Sequence, residues 1–177
     1  EELLFVEDAG PGHACLLNKF PVVDQHVLIV TRQFEEQTSQ LHTADFQAIW
    51  PWLQSESALG FYNAGVEAGA SQPHKHLQVI PLPLASKGPA LPIEPLLAGG
   101  GCGEREQEAT VGLPFRHRFT RFGGSVAATD RIGEVERDYR RMLDQLELFA
   151  DSRGRLPPYN LLLTRDWMLM IPRSTES

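Results

Sequence analysis

Two histidines and a glutamine, His74, His76 and Gln78, occupy alternate positions directly behind a proline in the run Gly69-Ala-Ser-Gln-Pro-His-Lys-His-Leu-Gln78. Leu77-Gln-Val-Ile-Pro-Leu82 has β character, so a strand beginning near His74 would set these three polar side chains on one face. Lys75, Leu77 and Val79 would take the other. Three chemistries fit. The histidines can be satisfied side chains of a half-buried strand. They can ligate a metal, which needs a third and usually a fourth donor, although no Cys, Asp or Glu shares their strand face. Or one of them can be a nucleophile at phosphorus. A neutral imidazole is competent for that at neutral pH, and a neighbouring amide or ammonium stabilises charge on a transferred phosphoryl group. Lys75 projects away from that face, so direct phosphate contact would need a bulge to redirect it.

Such a triplet needs a turn before it and a sheet around it. Pro73 lacks an N–H and suits a strand entrance better than a strand interior. Gly69 and Ser71 supply a turn able to bring backbone N–H groups to an anion. Upstream, Leu3 to Val6 and His13 to Asn18 read as a hairpin around Ala9-Gly-Pro-Gly12. The unbroken apolar run Val27-Leu-Ile-Val-Thr31 predicts a strand buried on both faces. Phe46, Ile49, Trp50 and Leu53 follow helical spacing behind an N-cap at Thr43, with Pro51 expected to kink or restart the helix. Phe61 to Ala64 reads as a short strand feeding the glycine-bearing turn.

Downstream, residues 83–114 form an irregular excursion rich in proline and glycine. Phe115 to Phe122 alternates Phe115, His117 and Phe119 against Arg116, Arg118 and Thr120, which predicts a strand with one basic, solvated face. Ile132, Val135, Tyr139, Met142, Leu146 and Phe149 recur every three or four positions, the spacing of an amphipathic helix between Thr129 and Ala150. Tyr159 to Leu163 and Trp167 to Ile171 are apolar strands joined by Thr164-Arg-Asp166. Hairpins dominate and no βαβ unit repeats, so the chain reads as α+β with an antiparallel sheet.

Composition narrows the partners. With 177 residues, 42% of them hydrophobic and 22% charged, the chain suits one domain of ordinary size. A formal charge of −7 repels nucleic acid and anionic membranes as a whole and still permits a local cationic pocket. No apolar run approaches the ~18 residues of a membrane span, and no stretch reads as a signal peptide. Cys15 and Cys102 make neither a metal-ligand spacing nor a disulfide framework, so a reducing, cytoplasmic compartment is the default. His13, His26 and His42 find no partner in the pattern.

The central run closely resembles the signature of ATP adenylyltransferases, also called diadenosine tetraphosphate (Ap4A) phosphorylases, of the histidine-triad and galactose-1-phosphate uridylyltransferase superfamily. Other stretches share the likeness. Leu16-Leu-Asn-Lys-Phe-Pro-Val-Val23 with His26-Val-Leu-Ile-Val-Thr31 is similar to the family's nucleotide-binding strand pair, and Phe61-Tyr-Asn-Ala-Gly65 to its approach to the catalytic turn. Pro158-Tyr-Asn-Leu-Leu-Leu-Thr164 with Trp167-Met-Leu-Met-Ile-Pro-Arg173 is similar to its C-terminal segment. The resemblance implies an α+β fold, a histidine-triad-like antiparallel sheet with flanking helices. It implies one catalytic domain over residues 1–177, with the excursion at 83–114 and a helix-hairpin segment at 129–173, and it implies that family segments at both ends are missing.

The same resemblance implies that His76 is the nucleophile that becomes adenylylated, with His74 orienting the site. Gln78 stands where hydrolytic relatives have a third histidine. A glutamine can donate to a phosphoryl oxygen but cannot readily shuttle a proton to or from water, which favours transfer to phosphate over hydrolysis. Asn18 would contact ribose, Lys19 a phosphate, Ser71 and Gln72 phosphate oxygens from the turn, and Asn63 the substrate; each also fits an ordinary strand-end, turn or surface role. The implied reaction is reversible phosphorolysis of Ap4A to ADP and ATP, by a monomer or homodimer acting on small nucleotides. Mg²⁺ would ride on the polyphosphate, with no tightly bound protein metal. A dinucleoside polyphosphate hydrolase, a hexose-1-phosphate nucleotidyltransferase and an inactive nucleotide-binding module are the alternatives.

Overall fold

The computed structural model describes residues 4–55, 57–97, 113–123 and 128–173. Eight strands form one antiparallel sheet: β1 (Phe5–Asp8), β2 (His13–Leu17), β3 (Val27–Thr31), β4 (Ala58–Ala64), β5 (His76–Pro81), β6 (Arg118–Arg121), β7 (Tyr159–Leu163) and β8 (Trp167–Pro172). Their spatial order is β1-β2-β3-β5-β4-β7-β8-β6, which puts the histidine strand β5 in the interior between β3 and β4. Helices α1 (Thr43–Ser55), α2 (Glu94–Leu97) and α3 (Ala128–Gln145) complete the described fold. The α+β class and the antiparallel sheet with flanking helices agree with the sequence reading.

Period-two side chains sort the sheet into two apolar faces. Val27 and Ile29 of β3 stand opposite Val79 and Leu77 of β5. These four join Phe46, Ile49 and Leu53 of α1 and Val135, Tyr139 and Met142 of α3 in the larger core. Gly60 of β4 allows α1 this close, because a Cβ there would meet Ile49 Cδ1 at 2.7 Å. On the other face Leu59, Ile80, Phe119, Trp167 and Leu169 pack with Leu91 and Leu97, so the excursion after β5 folds back over that end of the sheet. Leu28, Phe61 and Gln78, further along that face, stay half-buried. The candidate residues His76 and Gln78 point to this face.

Several elements differ from their sequence expectations. β3 alternates between fully buried Val27, Ile29 and Thr31 and half-buried Leu28 and Val30, because helices cover only one of its faces. α1 runs through Pro51 without a restart. β6 is short, with Arg121 exposed, Arg118 half-buried and Thr120 buried, so it presents no uniform basic face. α3 ends at Gln145, where Glu147 adopts a left-handed φ of 56° and the Leu148 N–H returns to the Leu143 carbonyl. That is the geometry of a Schellman stop. It leaves Phe149 63% exposed, outside the apolar stripe. Cys102 and the glycine run Gly99–Gly101 lie outside the described residues.

Candidate active site

β5 begins at His76, two residues later than the alternation suggested, and His74 precedes it in an isolated bridge to Glu36. This short offset decides the chemistry of His76. Its Nδ1 lies 2.8 Å from the main-chain oxygen of His74. A carbonyl can only accept, so Nδ1 carries the proton and Nε2 keeps its lone pair. Burial pushes the imidazole pKa below its ordinary 6.5, and the nearby His74 ring adds to that against the opposing His74 carbonyl bond. His76, 7% exposed, is therefore a neutral ring with a fixed tautomer at neutral pH.

His74 acts on this ring through its backbone. Its own Nε2 lies 3.2 Å from the Gln33 carbonyl and 3.1 Å from Thr31 Oγ1, with Phe34 tilted against the ring at 5.4 Å. The expected orienting contribution thus comes from a main-chain oxygen, while the imidazole engages the segment after β3.

Gln78 belongs to a relay whose direction can be read from one backbone donor. The Phe20 N–H donates to Asn18 Oδ1 at 3.0 Å, so the Asn18 Nδ2 group is turned toward His26, 3.1 Å from its Nδ1. That nitrogen must accept, which puts the His26 proton on Nε2. Nε2 then donates to Gln78 Oε1 at 2.9 Å. Burial lowers the His26 pKa, partly offset by the Gln78 bond and reinforced by His76, so this neutral form is favoured. With its oxygen engaged, the Gln78 amide keeps its two N–H donors for the site.

The turn before the strand is built by glycines with positive φ. Gly65 (91°) and Gly69 (95°) bracket the 3₁₀ turn Val66–Ala68, and Asn160 of β7 ties it down by donating to the Ala68 carbonyl at 2.7 Å and to Asn63 Oδ1 at 2.8 Å. Asn63 is therefore held in place, with its oxygen occupied. Ser71 and Gln72 are exposed, and their side chains make no hydrogen bond among the described residues. Lys19 is exposed too, its ammonium 5.5 Å from the Phe20 ring centre. The structure thus joins His76 to the His74 backbone and, separately, Asn18 to Gln78 through His26, and leaves Lys19, Ser71 and Gln72 at the surface.

Several bonds of the site's support were missed by sequence reasoning. Lys75, fully buried on the back of the sheet as its alternation implied, donates to Asp45 Oδ2 at 2.8 Å, Glu35 Oε2 at 2.9 Å and the Gln40 carbonyl at 3.0 Å. All three ammonium donors are used. Asp45, in the first turn of α1, also accepts from His13 Nε2 at 2.9 Å and the His42 N–H at 2.8 Å. Burial alone would raise its pKa, but the His13 bond, the Lys75 charge and the backbone donor together hold it below the usual 3.8. Gln37, 3% exposed, hydrogen-bonds the backbone of His76 itself. Partners 30 or more residues apart leave no short-range signal. Among the described residues no group of three or more His, Cys, Asp or Glu is placed to hold a metal ion.

A family model for the Ap4A phosphorylase N-terminal domain matches residues 1–99, more than half of the chain. The chain belongs to the Ap4A phosphorylase family. A model for the ATP adenylyltransferase C-terminal domain matches residues 111–177. The two segments share one sheet, since β7 from the second pairs with β4 from the first. Diadenosine 5',5'''-P1,P4-tetraphosphate phosphorylase 2 of Saccharomyces cerevisiae is 32% identical over 98% of this chain and 59% of its own length. Crystal structures of yeast Ap4A phosphorylase Apa2 with AMP and with Ap4A each match with a TM-score of 0.79, at 29% and 28% identity. They cover 98% of this chain and 61% and 62% of theirs. This Ap4A phosphorylase family member thus spans about three-fifths of the length of the relatives it matches.

Proposed function

We propose that this chain carries the nucleotidyl-transfer site of an Ap4A phosphorylase, with His76 as the covalent nucleophile. The observation that carries the reading is the His76 ring, neutral, with Nδ1–H held on the His74 carbonyl and Nε2 left unprotonated. The relatives' complexes with Ap4A and AMP support the substrate class. In the first step Nε2 attacks the α-phosphorus. An N–P bond forms, the bond to the bridging oxygen breaks, and ATP leaves with the electron pair. The resulting cationic ring keeps its Nδ1 proton against the His74 carbonyl, which stabilises that charge. In the second step an oxygen of inorganic phosphate attacks the same phosphorus, the N–P bond breaks and ADP leaves. His76 regains its lone pair.

Gln78 is suited to donate to a phosphoryl oxygen in both steps. It has no titratable group with which to activate water, so an acceptor that is already anionic is favoured. Asn18, Lys19, Asn63, Ser71 and Gln72 are assigned to ribose, polyphosphate and turn contacts on the family resemblance. Mg²⁺ is expected as the counter-ion of the substrate's polyphosphate. The test is product analysis with Ap4A and Mg²⁺, in phosphate or in plain buffer, beside His76→Ala. ADP plus ATP formed only with phosphate, and only by the unmutated chain, is the expected result. AMP in plain buffer would make it a hydrolase, and full turnover by His76→Ala would defeat the covalent route.

A further inference from the structure

The ladder between β4 and β5 pairs Ala58 with Pro81 and continues to Phe61 with Gln78. Two positions further in that register Asn63 comes opposite His76, and there the carboxamide of Gln37 stands between the strands. Its Nε2 donates to the Asn63 carbonyl at 3.0 Å and to the His76 carbonyl at 3.1 Å, while its Oε1 accepts the His76 N–H at 2.8 Å. Two amide hydrogens meet two carbonyls and one amide oxygen meets one N–H. No other side chain of this length offers two donors and an acceptor in one plane.

Gln37 is itself anchored. Its backbone N–H donates to the Pro73 carbonyl at 2.8 Å, and its carbonyl accepts the buried Tyr62 hydroxyl. One residue therefore grips the main chain at Pro73 and at His76, the two ends of the segment whose middle carbonyl, that of His74, holds His76 Nδ1.

We propose that Gln37 is the positioning residue of the nucleophile: its side chain replaces a strand residue between β4 and β5, sets the spacing of His76 from Asn63, and holds the 73–76 backbone so that Nε2 stays free. The catalytic part of this rests on the reading of His76 as nucleophile. Gln37 touches neither substrate nor the reacting atoms in this scheme, so its removal should change the state of the His76 ring and the turnover rate more than substrate binding.

The test uses Gln37→Met, which keeps the length and loses all three bonds, and Gln37→Glu, in which a carboxylate cannot donate but a protonated acid can donate once. Imidazole ¹⁵N spectra of the unliganded chain, with His76 assigned by its loss in His76→Ala, should show a pure Nδ1–H tautomer in the unmutated protein and mixed tautomers in Gln37→Met. In phosphorolysis kcat should fall about 10- to 100-fold with KM changed far less, the size expected of a misplaced reacting group. Gln37→Glu should recover activity as pH falls, against the trend of the unmutated chain. If Gln37→Met does not fold, the pH-dependent recovery of the Gln37→Glu spectrum and rate carries the test. An unmutated tautomer in folded Gln37→Met, or a Gln37→Glu spectrum and rate that follow the unmutated pH trend, would overturn the proposal. Tautomer changes in a chain without phosphorolysis would instead defeat the functional reading and leave the positioning role standing.

Discussion

At the scale of single residues, the state of His76 depends on one main-chain oxygen and on burial. The His74 carbonyl selects the tautomer, and burial keeps the ring neutral below the ordinary 6.5. The sign is definite. In the proposed mechanism the attacking His76 ring must be neutral, so activity should persist below pH 6.5 and fall only as pH drops through the lowered pKa. The acid limb of kcat/KM is the measurement, and a limb at or above 6.5 would contradict the structure. The sequence reading identified His74, His76 and Gln78 by type and spacing. It could not identify His26 as the partner of Gln78, because those residues lie 52 positions apart.

At the scale of elements, β5 is held from both sides by different physics. On the back, Lys75 is fully buried and compensated by Asp45 from α1 and Glu35 from the loop before it. A buried ammonium stripped of its principal partner is costly, so Asp45→Asn should destabilise the chain by about 3–5 kcal/mol in urea unfolding. The same substitution should flatten the acid limb of stability. The depressed pKa of Asp45 means its contribution is present above 3.8 and lost as pH falls below that value. The contact of α1 with β4 is equally specific. Gly60→Ala would drive a methyl group into Ile49 and should cost about 1–3 kcal/mol, the usual range for overpacking, with a lowered Tm in calorimetry. An unchanged Tm would mean that α1 can move away freely.

At the scale of the whole molecule, the segments matched by the two family models cannot fold as independent layers. β4 of the first pairs with β7 of the second, and the Tyr139 hydroxyl of α3 both accepts from the Leu41 N–H next to α1 and shares a 2.7 Å hydrogen bond with Tyr159 of β7. Unfolding should therefore be a single cooperative transition. Far-ultraviolet dichroism and tryptophan fluorescence, reporting Trp50 and Trp52 in α1 and Trp167 in β8, should give coincident denaturation curves. Separate midpoints would show that the segments unfold one at a time.

The fold class, the order of the strands along the chain and the face of the sheet that Lys75 takes followed from the sequence, because periodicity and local spacing are properties of neighbouring residues; His76 as candidate nucleophile came from the family resemblance of the run around it. The limits of α3 and β6 did not follow, since a left-handed Glu147 and the helix packing behind the sheet override the apolar pattern. Nor did the strand order in space, the Asn18-His26-Gln78 relay, the Asp45-Lys75 pair or the insertion of Gln37 beside His76. Those are bonds between residues that only the closed sheet brings together, and their geometry does not exist until β3, β4 and β5 are aligned.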